Sequence, residues 1–383
     1  MKKKITVLTT SRADYGFLCP LLNKIEKEKT LELKLIVCGS HLSDKHGKTV
    51  TEIIKDKRKI HYKYKTLLNS KTSTSQSMEL AIKGFSEAID RTRPDLIFLP
   101  ADRYEILAAA SVALVKKIPV AHYAGGQLTE GAWDNSIRHA VTKLSQIHFV
   151  ATKLCKKRLM QMGEDPSKII ITGSLGIENI KKMNFIKKEK LEKIINFKFG
   201  KKSALVTIHP ETLGKHSPKS IVINLLEALK HFKDINLLFT IPNADEGNKI
   251  IIKKIKKFVN QKANKSTFIP SLGRKFYLSS MNLVDFVVGN SSSGIIETPS
   301  FKIPTINIGD RQKGRIKSQS IIDCKSLKGE IIKSIRKCYN IKFLKKLEKI
   351  KNPYGEGNSS EKIIKVIKNI TLDNILTKKF YDF

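Results

Sequence analysis

Residues Val287–Ser300 read VVGNSSSGIIETPS. A largely apolar run, Val284–Val288, leads into Gly289-Asn290, three consecutive serines and Gly294, and Ile295-Ile296-Glu297 follows. A buried strand, a tight turn and a helix start, in that order, form the repeating joint of a βαβ fold. Such a turn presents backbone N–H groups and hydroxyls at the positive end of a helix, which suits a phosphate. A plain serine N-cap is the competing reading, but one cap uses one hydroxyl and this turn offers three. Glu297, one helical turn further on, can accept two hydrogen bonds from a ribose diol.

The same joint recurs on both sides. Upstream, KITVLTT, LELKLIVCG, PDLIFLP, IPVAHY, QIHFVAT and KIIITG are short continuous apolar runs, the pattern of parallel strands covered on both faces. Helical spacing is predicted over 15–28, 75–91, 103–116, 136–144 and 153–162. Pro94 and Pro119 each stand just before a strand, where they end the preceding helix. The alternation restarts with SALVTIHP and continues through INLLFTIPN, STFIPS, VDFVVGN and IPTINIG, separated by helical patterns. This is an α/β chain with two successive Rossmann-like, doubly wound domains, joined near residues 173–202.

Length supports two cores: 383 residues exceed one ordinary core. No apolar run reaches the ~18 residues of a membrane span, and MKKK leads into only a short strand, so no membrane partner and a cytoplasmic location are expected. The five cysteines show no C-x-x-C spacing, which suggests no zinc site and no disulfide framework. The net charge of +37 invites a nucleic-acid reading, but only 11 of the 72 basic residues are arginine. The lysines alternate with apolar residues at helical spacing, as in KKIKKF and KFLKKLEKIKN, and aromatics do not interleave with them. Solvated helix faces explain the charge, and no nucleic-acid partner is expected. The charge still draws anions such as a nucleotide diphosphate.

The polar residues gather where strands end: TTSRADYG, PADRYE and AHYAGGQLTEGAWDNSIRHA in the first half, and IHPET, IPNAD, GNSSSG and NIGDRQKGR in the second. Open parallel sheets bind ligands at those ends. G-x-G-x-x-G, G-x-x-x-x-G-K-[ST] and G-x-S-x-G patterns are absent. No redox cofactor is therefore expected, no motif requires a divalent cation, and no metal ligand is assigned.

Taken in order, SRADYG, DRYE, AHYAGG…DNSIRHAVTKLSQIHF, MGEDPSKIIITGSLG, HPET, GNSSSGIIE and NIGDRQKGR resemble the hydrolysing nucleotide-sugar 2-epimerases of sialic and legionaminic acid biosynthesis. These are relatives of the UDP-N-acetylglucosamine 2-epimerases, and the resemblance runs nearly end to end. It implies two Rossmann-like domains in a glycosyltransferase-B arrangement: a sugar-site domain over 1–175, a nucleotide-binding domain over 200–365, and a last helix over 366–383 that crosses back to the first domain. It implies a dimer. The implied reaction removes the nucleoside diphosphate by anti-elimination and hydrates the resulting glycal to release the free 2-epimer.

The implied site has Arg12, Ser291 and Ser292 on the phosphates, Glu297 on the ribose, and Asn243 and Arg311 facing the nucleotide. His209 assists the leaving group, and Asp102 and Asp134 act as acid and base. Taken alone, Asp102 and Asp134 each also read as a helix N-cap, and His209 as a packing residue. One departure concerns a glutamate that relatives often carry beside the glycine pair of AHYAGG. Ala124 and Gln127 occupy those positions, and neither accepts a proton as a base. Glu130 is the candidate replacement. A glycosyltransferase of the same architecture and a non-hydrolysing 2-epimerase are the alternative readings.

Overall fold

The computed structural model describes residues 2–44, 47–69, 72–130, 132–211, 217–242, 247–261, 265–270 and 272–382. The chain divides into two compact units. The first comprises Met1–Gln127, Asp134–Lys181 and Tyr354–Phe383; the second comprises Leu128–Trp133 and Lys182–Pro353.

In the first unit, the strands among the described residues are β1 (Lys3–Thr9), β2 (Leu31–Val37), β3 (Tyr62–Lys63), β4 (Leu96–Pro100), β5 (Val120–Tyr123), β6 (Ile147–Val150) and β7 (Ile169–Ile171). They pair in the order β3-β2-β1-β4-β5-β6-β7, all parallel. The strands are apolar on both sides because both faces are covered. Ile5, Val7, Leu35, Val37, Leu96 and Phe98 belong to one core cluster. Their neighbours Leu8, Ile36, Ile97 and Leu99 belong to a second cluster on the opposite face.

The second unit contains β8 (Ser203–Thr207), β9 (Asn236–Thr240), β10 (Ser266–Ile269), β11 (Phe286–Gly289), β12 (Thr305–Ile308) and β13 (Ile321–Cys324). Their order is β10-β9-β8-β11-β12-β13, again parallel. In each sheet the strand order reverses at one point, between β1 and β4 and between β8 and β11, where doubly wound folds bind ligands. The motifs TTSRADYG and PADRYE leave the first switch point, and IHPET and GNSSSG leave the second.

The lysine-rich runs are amphipathic helices. In Asn248–Asn260 the lysines stand around a buried stripe of Ile251, Ile255 and Phe258. Several elements differ from expectation. The edge strands β3 and β13 are short and only partly apolar, so they lack the continuous run that marks an interior strand. The stretch after Gly173 contains two short helices: Leu175–Lys182, which is mostly buried, and Lys188–Ile195, which buries only Leu191 and Ile195.

The last helix also differs: it is Ser359–Asn369, not 366–383. Its stripe of Ile363, Ile364 and Ile367 ends there. Ile370 turns extended, and Lys3 Nζ caps the carbonyls of Ile367 and Ile370, each at 2.9 Å. Residues 370–382 continue without helix or strand on the first unit.

Candidate functional site

In the second unit the loops after β8, β11 and β12 meet at Asn290, which is fully buried. Its side chain pairs with the main chain of His209: the His209 N–H donates to Asn290 Oδ1 at 2.7 Å, and Asn290 Nδ2 donates to the His209 carbonyl at 3.0 Å. The Asn290 carbonyl accepts from Arg311 Nη1 at 3.3 Å and from Gln312 Nε2 at 3.0 Å. Burial, and then the charge of Arg311, holds the His209 imidazole well below its usual pKa. At neutral pH it is therefore an uncharged ring.

Two glycines permit this convergence. At Gly289, φ is +143°, and a Cβ would lie 1.8 Å from the Thr207 carbonyl oxygen, so only glycine lets β11 approach β8. Gly309, at φ +75°, lies against Glu211: a Cβ would come 2.3 Å from Glu211 Oε1. That oxygen accepts the N–H groups of Asp310 at 3.0 Å and Arg311 at 3.2 Å. Burial pushes the Glu211 carboxyl above its usual range, although the two N–H donors pull it down.

The serine turn is a short helix, Ser292–Ile296, followed by a 3₁₀ turn at Thr298–Phe301. Ser291 is the N-cap, and its hydroxyl accepts the Ser293 N–H at 3.3 Å. Ser293 Oγ donates to Glu297 Oε2 at 2.6 Å, and Arg274 Nη2 lies 3.8 Å from Glu297 Oε1. The cap reading therefore accounts for Ser291, while Glu297 is a half-buried carboxylate held by Ser293 and Arg274. Asn243 lies outside the described residues.

In the first unit the turn after β1 is organised by buried Asp14. Its carboxylate accepts from the N–H groups of Thr10 and Ser11 at 3.0 Å and from the Thr9, Thr10 and Ser11 hydroxyls. These donors face a carboxylate of the chain itself, and Ser11 with Asp14 closes a capping box on the helix Arg12–Lys27. Half-buried Arg12 is the first residue of that helix, so a phosphate contact at this turn would come through its guanidinium.

Asp102 does not cap the helix after it; Arg103 is at the N-cap of Tyr104–Val115 and makes no side-chain cap bond. Asp102 Oδ2 instead accepts from Arg138 Nε at 3.0 Å and from Arg138 Nη2. Arg138 is buried, and its Nη1 donates to the Gln127 carbonyl at 2.5 Å. It stands four residues after Asp134 in the helix Asp134–Lys143, so the two share a face. Ala101, a non-glycine residue at φ +63°, turns the chain toward Asp102. Its carbonyl accepts from His122 Nε2 at 2.9 Å, and its N–H donates to the Tyr123 carbonyl at 3.0 Å. Burial drives the His122 pKa down to about 3, so the ring is neutral and Nε2 carries the proton that the carbonyl requires.

Ala124 sits at φ +74°, and Gln127 is buried with its carbonyl on Arg138. Glu130 belongs to the second unit, not to the unit that carries Asp102. It is exposed, its carboxylate lies 3.0 Å from Lys313 Nζ, and its N–H donates to the Lys313 carbonyl at 3.2 Å. Its closeness in sequence to AHYAGG is thus no guide to its surroundings. Arg138, His122, Asn290 and Glu211 were not singled out from the sequence. The available signal was the i,i+4 spacing of Asp134 and Arg138, and the placing of Asn290 and Glu211 inside the motifs.

Among the described residues no group of three or more His, Cys, Asp or Glu side chains is arranged to hold a metal ion, and no helix is long and apolar enough to cross a membrane.

Residues 23–368 match the model of the UDP-N-acetylglucosamine 2-epimerase family. The chain is 41% identical over 384 residues to the GDP/UDP-N,N'-diacetylbacillosamine 2-epimerase (hydrolyzing) of Campylobacter jejuni, covering 100% of this chain and 99% of that protein. It is 35% identical to the polysialic acid biosynthesis protein P7 of Escherichia coli, covering 99% of this chain and 97% of the other. Its fold matches the UDP-GlcNAc 2-epimerase from Neisseria meningitidis bound to UDP-GlcNAc, with a TM-score of 0.80 at 21% identity over 96% of this chain and 100% of that one. With the two switch points and the full-length match together, the chain belongs to the UDP-N-acetylglucosamine 2-epimerase family.

Proposed function

We propose that this protein is a hydrolysing nucleotide-sugar 2-epimerase that acts on a UDP- or GDP-linked 2-acetamido sugar. Convergence on Asn290 carries the reading: one buried side chain holds the His209 turn, and its carbonyl holds Arg311 and Gln312. That arrangement suits a diphosphate, with Arg311 as cation, His209 as a neutral N–H donor, the serine turn beside them and Glu297 for the ribose. Arg12 adds a guanidinium, and Asn243 a contact to the nucleotide.

In the proposed reaction a carboxylate removes the C2 proton while the C1–O bond breaks and its electron pair leaves with the nucleoside diphosphate. The product is a glycal with a C1–C2 double bond. Water then adds its oxygen at C1, and a proton returns to C2 from the opposite face. Asp102 and Asp134 are the proposed acid and base, with Glu130 as a third candidate. Arg311 and His209 act most strongly as charge builds on the departing phosphate. The sugar is N-acetylglucosamine or its 2,4-diacetamido-6-deoxy analogue, and the pathway sialic or legionaminic acid synthesis; the diacetylbacillosamine in one relative's name supports the analogue, and the polysialic acid in the other's supports the sialic acid route. A cytoplasmic dimer completes the reading.

The test is incubation with UDP- and GDP-sugars in deuterium oxide, followed by NMR. Free sugar of inverted C2 configuration carrying deuterium at C2 is the expected product. An epimer still attached to the nucleotide would make the enzyme non-hydrolysing. Free sugar with protium retained at C2 would reduce it to plain hydrolysis, and release only when an acceptor is added would make it a glycosyltransferase.

A further inference from the structure

We propose that Arg138 is a positioning residue that sets the orientation of Asp102 and its spacing from Asp134. The proposal rests on the epimerase reading above, because it assigns both carboxylates to proton transfer.

The geometry is specific. All three guanidinium nitrogens are engaged: Nε and Nη2 on Asp102 Oδ2, and Nη1 on the Gln127 carbonyl. Arg138 therefore ties together the loops that follow β4 and β5. It does so from the helix that begins at Asp134, one turn away on the same face. Because the guanidinium is planar and fully buried, its fork fixes a direction as well as a charge. The Asp102 backbone is held independently through Ala101, by His122 on the carbonyl and Tyr123 on the N–H. On the side chain itself, Arg138 grips Oδ2 through two donors and so holds its direction. A carboxylate that must reach one proton on a bound sugar loses rate steeply when its direction drifts, even if it still ionises.

A double-mutant cycle with full-length protein tests this. Arg138→Lys keeps the charge without the fork, Arg138→Gln removes the charge, and Asp102→Asn removes the acid. Each is measured for kcat and KM, for melting temperature, and with Arg138→Gln and Asp102→Asn combined. The expectation is a loss of about 10–100-fold in kcat for Arg138→Lys and more for Arg138→Gln, with KM within about threefold of wild type. In the Asp102→Asn background, Arg138→Gln should cost no more than about a further threefold, because its partner is already disabled.

Losses that multiply independently overturn the proposal, as does wild-type kcat in Arg138→Gln. Loss of a cooperative melt in both Arg138 variants assigns Arg138 to the fold alone and also overturns it. If the wild type itself releases no C2-deuterated free sugar, the epimerase reading fails and the proposal fails with it.

Discussion

His209 and Asn290 hold each other by two reciprocal hydrogen bonds, at 2.7 and 3.0 Å, across the switch point of the second sheet. Asn290→Ala removes both of these bonds from the buried His209 main chain. The expected loss is about 2–6 kcal/mol of stability, since each of the two lost buried bonds costs about 1–3 kcal/mol. Urea unfolding reads this, and a calorimetric titration with UDP should show weakened binding in the same variant. Wild-type stability would mean that the His209 turn is held by something else.

Glu211 and Gly309 form a second joint, which positions Arg311. Glu211→Gln keeps an acceptor for the Asp310 and Arg311 N–H groups and should bind UDP nearly as the wild type does. Glu211→Ala removes it and should weaken binding by about 1–3 kcal/mol. Gly309→Ala should be worse than either, because φ is +75° and the added Cβ collides with Glu211 Oε1. The ranking of the three dissociation constants is the check; equal values would separate Arg311 from nucleotide binding.

The His209 ring should titrate upward when UDP binds. In the unliganded protein burial and Arg311 both disfavour the imidazolium. A diphosphate alongside favours it, so the shift on binding is toward higher pH. An NMR titration of the ring carbons with and without UDP measures this. An unchanged pKa would remove His209 from the phosphates.

Asp102 and Glu130 should respond very differently to loss of charge. Asp102→Asn keeps size and hydrogen bonding to Arg138 but cannot take a proton, so turnover should fall by about 10²–10⁴. Glu130 is exposed and paired only with Lys313 among the contacts described, an ion pair worth about 0–1 kcal/mol. Glu130→Gln should leave stability unchanged, and its effect on kcat decides whether it replaces the acid absent at Ala124 and Gln127. Wild-type turnover in Glu130→Gln leaves the proton transfers to Asp102 and Asp134.

The segment after the last helix should be needed for stability. Lys378 Nζ lies 2.6 Å from buried Glu164 and also donates to the carbonyls of Lys143 and Ser145 at 3.0 and 2.7 Å. Tyr381 N–H donates to the Gly163 carbonyl at 3.0 Å, and Lys143 Nζ lies 5.1 Å from the Phe380 ring centroid. Burial would raise the Glu164 carboxyl, but His148, Lys378 and Lys143 together bring it down to about 2. A depressed carboxyl contributes stability that is fully present above its unfolded pKa of ~4.3 and is lost as the pH falls toward about 2. Removing residues 371–383 should lower the melting temperature at pH 7 and flatten its decline between those two pH values. An unchanged melting curve would show that the segment contributes nothing.

The interior strands and most long helices were legible because their signal is local. A parallel strand covered on both faces must be apolar at every position, as in Leu96–Leu99, and an amphipathic helix must repeat its apolar stripe, as at Ile251, Ile255 and Phe258. The edge strands β3 and β13 and the helix Lys188–Ile195 escaped because partial burial leaves only a fragment of either pattern, and Leu175–Lys182 because it is too short to repeat a stripe. The resemblance implies a last helix over 366–383, but the helix stops at Asn369, where Lys3, at the other end of the chain, supplies its cap.

By itself, the sequence determined the two parallel α/β sheets, the family, and the strand ends on which the polar residues stand. Backbone geometry and periodic burial make all of these properties of neighbouring residues. Tertiary structure alone decided what each polar residue faces. Asp102 reads in sequence as a helix cap, yet it meets Arg138, 36 residues away. Glu130 adjoins the AHYAGG loop in sequence, yet it packs with Lys313. Asn290 looks like a turn residue and is the post that joins the His209, Arg311 and Gln312 loops. Hydrogen bonds and ion pairs act over a few ångströms, so partners distant in the chain are decided only once the sheets bring the loop ends together.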